Sequence, residues 1–251
     1  THRRSSAASD VYKRQFVIIG GGPTGVELAG ALADLAFKTL DGHFHNINTK
    51  KECEIYLIEA LPQVLPTFDK KLSEITKKYL ERMGIKVLTD SRVTEITSDT
   101  VAFEKNKERQ VIETKTTLWG AGVKASAWGM ILSEAADAQV DRVGRVLVKK
   151  DFSIPNYSNI FVIGDLARFQ DSKNEFIPGV APAAMQAGEY VAKLIKNRVN
   201  GDKSFKEFEY KDKGNLAVIG RNRAVADLGF YKAQGFVAVS YTHLTLPTIS
   251  D

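Results

Sequence analysis

The alternation of apolar and polar positions predicts a chain that opens on a parallel α/β unit. Residues 16–20 read FVIIG, an unbroken apolar run closing on glycine. Such a run suits a strand buried on both faces. Residues 26–36 are small and apolar at helical spacing, which predicts a helix packed on a sheet. Residues 41–51 are polar and predict a surface loop. A second strand is predicted over 54–59 (EIYLIE). Residues 69–83 form an amphipathic helix, with Leu72, Ile75 and Leu80 on one side and lysines on the other. Gly84 stops it, and 85–88 predict a third strand. Strand, helix, strand, helix, strand in that order is the parallel unit of a doubly wound fold.

The later pattern is shorter in period. Residues 93–112 alternate and carry charge, as an antiparallel meander does. Further strands are predicted over 116–120, 145–149 and 159–164. A helix follows over 182–198, with alanines early and lysines late. Residues 215–220 and 224–228 predict a β-hairpin around Arg221 and Asn222. No internal repeat or low-complexity segment interrupts this order.

The first strand runs into Gly20-Gly21-Gly22-Pro23-Thr24-Gly25, which fits GxGxxG. Gly20 permits the tight turn, Gly22 lets the backbone approach a pyrophosphate, and Gly25 lets helix and strand pack closely. The helix start presents free N–H groups to phosphate. A glycine-rich turn that serves only packing is the plainer alternative, but the setting between strand and helix favours dinucleotide binding. The second strand ends at Glu59, where a carboxylate accepts hydrogen bonds from ribose hydroxyls and repels a 2′-phosphate. This favours NADH over NADPH. Glu59 lies 34 residues beyond Gly25, against about 20 in the fingerprint; the helix and the loop through His43 and His45 take up the excess. Two histidines two apart in a polar loop, with no further Cys/His cluster, give no metal site.

A second signature follows. Residues 159–165 (NIFVIGD) end an apolar strand in Gly164-Asp165. A carboxylate there can hold a polyol hydroxyl, or simply cap a helix. Downstream, GVAPAAMQ sets Pro182 in a first helical turn, where its missing N–H costs nothing. Small side chains there let a flat ligand reach the helix end, whose positive pole suits a reduced flavin.

Composition adds limits. Apolar residues make up 43% and charged residues 26% of 251, as in an ordinary globular protein. The net charge of +5 is scattered, so nucleic-acid binding is not indicated. The single cysteine, Cys53, excludes a disulfide framework and receives no role. No uncharged stretch reads as a membrane span. Residues 1–15 and 239–251 follow no helix or strand logic and resemble translated adapter read-through, so both are expected to be non-native tails. Setting them aside removes His2 and His243 and brings the core nearer +3.

In combination these stretches are diagnostic. IGGGPTGVELAGALADLA, IYLIEALPQVLPTF, TLWGAGVKAS, IFVIGDLARF, GVAPAAMQAGEYVAKLI and YKDKGNLAVIGRNRAVADLGF resemble the two-dinucleotide-domain flavoprotein reductases of the pyridine nucleotide-disulfide oxidoreductase superfamily. The likeness is greatest to type II, non-proton-pumping NADH:quinone oxidoreductases. The resemblance implies an α/β fold: a Rossmann-type NADH-binding domain over 16–122 and the C-terminal half of an FAD-binding domain over 123–210. The start of a quinone- and membrane-facing region would follow over 211–238. Gly20, Gly22 and Gly25, with Pro23 and Thr24 between, would cradle the pyrophosphate of NADH, and Glu59 its ribose. Gly120 and Gly122 would form the tryptophan-glycine turn beside the cofactor. Glu27 would lie near the nicotinamide. Gly164 and Asp165 would hold the ribityl chain of FAD, Ala181 and Pro182 would flank its ring, Gln186 would face the quinone, and Lys213 would approach the flavin.

Two departures from the family pattern stand out. Pro182 occupies a place where the motif often has glutamine, and the first FAD glycine loop and the C-terminal amphipathic anchor are not in this sequence. The fragment alone is therefore expected to hold FAD poorly and to be inactive. The full-length form is expected to sit peripherally on the cytoplasmic face of a bacterial inner membrane, to bind no nucleic acid, and to form a homodimer. Two other readings stay open: a flavoprotein reductase of ferredoxin or disulfide type, and a non-catalytic NADH-sensing module.

Overall fold

The computed structural model describes residues 14–45, 47–202, 204, 206–221, 223–229, 232–235 and 238. Of the expected tails at 1–15 and 239–251, residues 1–13 and 239–251, with His2 and His243, lie outside the described residues. Gln15, assigned to a tail by its sequence, is instead the first residue of a strand. The described chain divides into two units, one of the described residues up to 122 with those from 214 on, and one of those within 123–213.

The first unit is built on a parallel sheet of order β3-β2-β1-β7. Its strands are β1 (Gln15–Ile19), β2 (Glu54–Ile58), β3 (Ile85–Leu88) and β7 (Thr116–Trp119). Helix α1 (Pro23–Asp34), extended by a π turn over Leu35–Thr39, joins β1 towards β2. A short helix α2 (Thr49–Glu52) precedes β2, and α3 (Lys70–Arg82) leads into β3. Asp69 caps α3 by accepting the Lys71 N–H at 2.9 Å.

The strands alternate between two cores. Ile18, Ile55 and Leu57 face α1 and α3, while Val17, Ile19 and Ile58 face the other way. That second side is covered by the meander of β4 (Ser91–Ile96), β5 (Thr100–Lys105) and β6 (Glu108–Glu113), which contributes Val101 and Phe103. Burial on both faces explains why β1 is apolar without a break. A further sheet of β12 (Asn215–Gly220), β13 (Arg223–Asp227) and β14 (Lys232–Gln234) lies against the helices, adding Ala217, Ile219 and Val225 to their core.

The second unit has little sheet. Strand β8 (Val146–Leu147) pairs in parallel with β11 (Ala167–Arg168), and β9 (Ser153–Ile154) is antiparallel to β10 (Tyr157–Phe161). The strands expected over 145–149 and 159–164 are thus shorter or shifted, because each has a ladder partner over only part of its length. Helix α4 (Trp128–Ala136) was not predicted; Asp137 ends it in the left-handed conformation at φ 52. Helix α5 (Ala181–Val199) runs through the unit.

An aromatic cluster holds this unit together. Phe152 and Phe169 stack with ring centres 4.4 Å apart, and Phe208 meets Phe152 edge-on at 5.0 Å. Phe152 sits at φ 63, a strained backbone for a bulky residue, held by this packing. Beside it, buried Asp151 accepts the Ser153 hydroxyl at 2.6 Å and the Arg198 guanidinium at 2.8 Å. Burial pushes the Asp151 carboxyl up, but the Ser153 and Arg198 bonds outweigh it and hold it below the ordinary value.

Two outcomes follow. Phe152→Ala is expected to cost about 3–5 kcal/mol, read as a lower denaturant midpoint. The stabilising charge of Asp151 is present above its ordinary pKa of 3.8 and lost as pH falls below it. Melting temperature should therefore drop on the acid side, and Asp151→Asn should flatten that drop.

Candidate functional site

The carboxyl ends of β1, β2 and β7 converge on the glycine loop. The Gly20 N–H donates to the Ile58 carbonyl at 2.8 Å, and the Gly120 N–H donates to Ile19 at 2.8 Å. Gly20 takes φ +104, and a Cβ there would stand 2.7 Å from the Ala121 nitrogen. At Gly25 an added Cβ would fall 1.7 Å from the Gly20 carbonyl oxygen. No side chain fits, so α1 can start directly against the strand end. A Cβ on Gly120 would lie 3.5 Å from the Gly25 Cα, an ordinary contact, so the close approach rests on Gly20 and Gly25 and not on Gly120. Gly22 differs: at φ −69 it is unstrained, and a Cβ there would meet nothing within 4 Å. Gly122 likewise faces open space, at φ +68.

Pro23 and Thr24 are exposed at the start of α1, and no side chain caps that start. The helix therefore offers its first free N–H groups beside the opening at Gly22. An anionic pyrophosphate fits this cradle in both charge and space.

Glu59 is 9% exposed and anchors the loop. Its Oε2 accepts the Gly21 N–H at 2.6 Å and its Oε1 accepts the Leu61 N–H at 2.7 Å. Each oxygen keeps acceptor capacity for a hydroxyl. Glu27, one turn into α1, is exposed, and its Oε1 accepts the Val218 N–H at 3.1 Å.

In the second unit a cavity of about 320 Å³ lies between Gly164-Asp165 and the start of α5. Gly179, Val180, Ala183 and Ala184 line it, together with Arg145. Gly164 takes φ +67, and a Cβ there would stand 3.7 Å from that of Ala184. Asp165 is exposed and makes no hydrogen bond or ion pair among the described residues. Val180 caps α5 only through its backbone, with Ala181 and Pro182 opening the helix. The volume is at the small end for a cofactor pocket, so these residues fit part of a flavin dinucleotide.

Gln186 has a definite partner. Its Nε2 donates to the Lys211 carbonyl and its Oε1 accepts the Lys211 N–H, both at 3.0 Å. The amide thus pins the segment that ends at exposed Lys213 alongside α5. In the first unit the glycine loop, Gly120 and Glu59 come together, with Glu27 one turn along α1. In the second unit Gly164 and Asp165 line the cavity, whereas Ala181, Pro182 and Gln186 lie on α5 outside its lining and Gln186 is bonded to Lys211. Arg145 was not anticipated. Its place before a short strand gave the only signal, and its salt bridge to Asp141 at 2.7 Å explains its fixed position.

Residues 2–188 match the model of the pyridine nucleotide-disulphide oxidoreductase family. The type II NADH:quinone oxidoreductase Ndh of Mycobacterium tuberculosis is 39% identical over 227 residues, covering 89% of this chain and 48% of that protein. The type II NADH:quinone oxidoreductase of Staphylococcus aureus is 36% identical over 211 residues, covering 83% of this chain and 50% of that protein. The chain spans about half the length of these curated relatives. In fold it is similar to NDH2 from Plasmodium falciparum in complex with NADH, with a TM-score of 0.84, 20% identity, and coverage of 96% of this chain and 64% of that one.

The tight glycine and the open one should behave oppositely. Gly25→Ala is expected to lower stability by several kcal/mol, as overpacking against backbone does (about 1–3 kcal/mol or more). Gly22→Ala should melt like the parent yet weaken NADH binding, because its methyl occupies ligand space. Calorimetric melting with an NADH titration of each variant checks both.

Proposed function

Because this chain belongs to the pyridine nucleotide-disulphide oxidoreductase family, we propose that it is the part of a type II NADH:quinone oxidoreductase that holds NADH and closes the flavin site. One observation carries the reading. The uncapped start of α1 opens onto free space at Gly22, beside a buried carboxylate at the end of β2. This is the arrangement a dinucleotide requires.

Gly20, Gly22 and Gly25, with the backbone at Pro23 and Thr24, bind the pyrophosphate. Gly120 and Gly122 leave room on the far side of the loop. Glu59 keeps the loop closed through Gly21 and Leu61, and its free lone pairs take ribose hydroxyls. Its charge opposes a 2′-phosphate, which selects NADH. Glu27 presents its carboxylate one helical turn from the loop, towards the nicotinamide end.

In the second unit Asp165 offers acceptors to the ribityl hydroxyls of FAD, with Gly164 giving clearance. Ala181 and Pro182 let the ring approach the start of α5. When bound, FAD supplies hydride acceptance from NADH and delivery of two electrons to a quinone. Gln186 holds the Lys211 backbone, and Lys213, two residues on, is set to deliver a proton. The quinone assignment draws support from the two curated relatives, both named NADH:quinone oxidoreductases. The same reading gives the parent protein a peripheral place on the cytoplasmic face of a membrane and a homodimeric state. Among the described residues no helix is long and apolar enough to cross a bilayer.

The 251-residue chain should bind NADH at least about tenfold more tightly than NADPH, the cost of placing like charges together being of order 1.4 kcal/mol. Glu59→Gln should narrow that gap. Equal affinity for both nucleotides, or none for either, refutes the nucleotide assignment. The parent reading frame, loaded with FAD, should lose its flavin absorbance under NADH and regain it with a quinone. Binding without flavin reduction would favour the NADH-sensing alternative.

A further inference from the structure

Helix α1 meets the C-terminal hairpin along one stripe. Glu27, Gly30 and Asp34 are spaced three and four residues apart and share a helix face. Each meets the backbone of β12 or the turn after it. Val218 donates its N–H to Glu27 Oε1 at 3.1 Å. A Cβ added to Gly30 would stand 2.0 Å from the Ile219 carbonyl oxygen. Arg221 donates its N–H to Asp34 Oδ2 at 2.9 Å. The hairpin sheet has the order β12-β13-β14, so among the described residues the outer edge of β12 meets the Glu27 carboxylate instead of another strand, and Asp34 holds the turn just beyond it.

The hairpin is fastened a second time at α3. The Asp69 N–H donates to Asp227 Oδ2 at 3.1 Å, and Lys232 donates to Asp69 Oδ2 at 2.6 Å. Asp34 is itself well held. Burial pushes its carboxyl up, but the bonds from Lys38 and the Arg221 N–H outweigh this and leave it below the ordinary value.

We propose that Gly30 and Asp34 are positioning residues for the nicotinamide end of the site: they seat β12 on α1, and the Val218 N–H then fixes the carboxylate of Glu27. This rests on the NADH reading above. A glutamate on an exposed helix surface samples many rotamers, and ordering it costs free energy at the moment of binding. One oxygen tied to a backbone N–H meets that cost in advance, and Oε2 keeps its acceptor capacity for a ligand. Gly30 is what permits it, because any side chain there drives the strand away. The C-terminal hairpin therefore acts on the dinucleotide site without touching the glycine loop.

Amide exchange and NADH titration of the 251-residue chain read the two links separately. In Gly30→Ala the Val218 and Arg221 amides should exchange faster, and the NADH dissociation constant should rise about three- to tenfold. Asp34→Ala should do the same, although alanine suits a helix better than aspartate. Asp34→Asn keeps an acceptor for Arg221 and should restore both protection and affinity. The decisive arm is a double-mutant cycle: in a Glu27→Ala background, adding Gly30→Ala should weaken NADH no further. Fast exchange with unchanged NADH affinity overturns the inference. So does a full additional loss in the Glu27→Ala background, which assigns the stripe to stability alone. An unsubstituted chain that binds no NADH overturns the functional reading itself, and the inference with it.

Discussion

The start of α1 passes the end of β1 with no room for a methyl group. A Cβ on Gly25 would sit 1.7 Å from the Gly20 carbonyl oxygen, well inside any contact distance. That single clearance sets where the helix begins, and the start of the helix sets where its free N–H groups point. The rest of the loop is arranged around it. Gly20 bonds back to β2, Gly120 bonds to β1, and Glu59 draws Gly21 down with a 2.6 Å hydrogen bond. The site is thus formed by backbone that has been brought too close for side chains. Its charge comes from one carboxylate buried beneath it.

Much of the first unit was legible because its signals are local. The alternation within β1 and β2 divides residues between two cores, and Ile18 and Val17 go where a period of two sends them. The apolar span 85–88 coincides with β3, and the predicted helix over 69–83 differs from α3 only by its cap residues Asp69 and Met83. Helical spacing predicts the first helix from Val26, whereas α1 begins at Pro23, since proline suits a first helical turn as well as a loop. The hairpin around Arg221 was also legible. Its docking on α1 was not, because it depends on contacts between residues such as Glu27 and Val218, 191 positions apart.

The second unit was harder to read for a physical reason. Its strands β8, β9 and β11 have only two residues each, too few for alternation to register. Order comes instead from the ring cluster of Phe152, Phe169 and Phe208 and from Asp151 with Arg198, 47 residues distant. Asp165 and the alanine-rich start of α5 were visible as motifs. The partner of Gln186 was not, since nothing in a sequence tells a glutamine which backbone it will meet.

That glutamine amide behaves as a peptide group. With one donor and one acceptor at 3.0 Å on Lys211, it reproduces a single rung of a β-ladder between a helix and an extended segment. A rung made by a side chain is open to chemistry that a backbone rung resists. Hydrolytic deamidation of Gln186 would leave the acceptor in place and turn the donor into a second oxygen facing the Lys211 carbonyl. The protein could then lose the registration of that segment through the ageing of one atom, with its sequence length, its helix and its core unchanged.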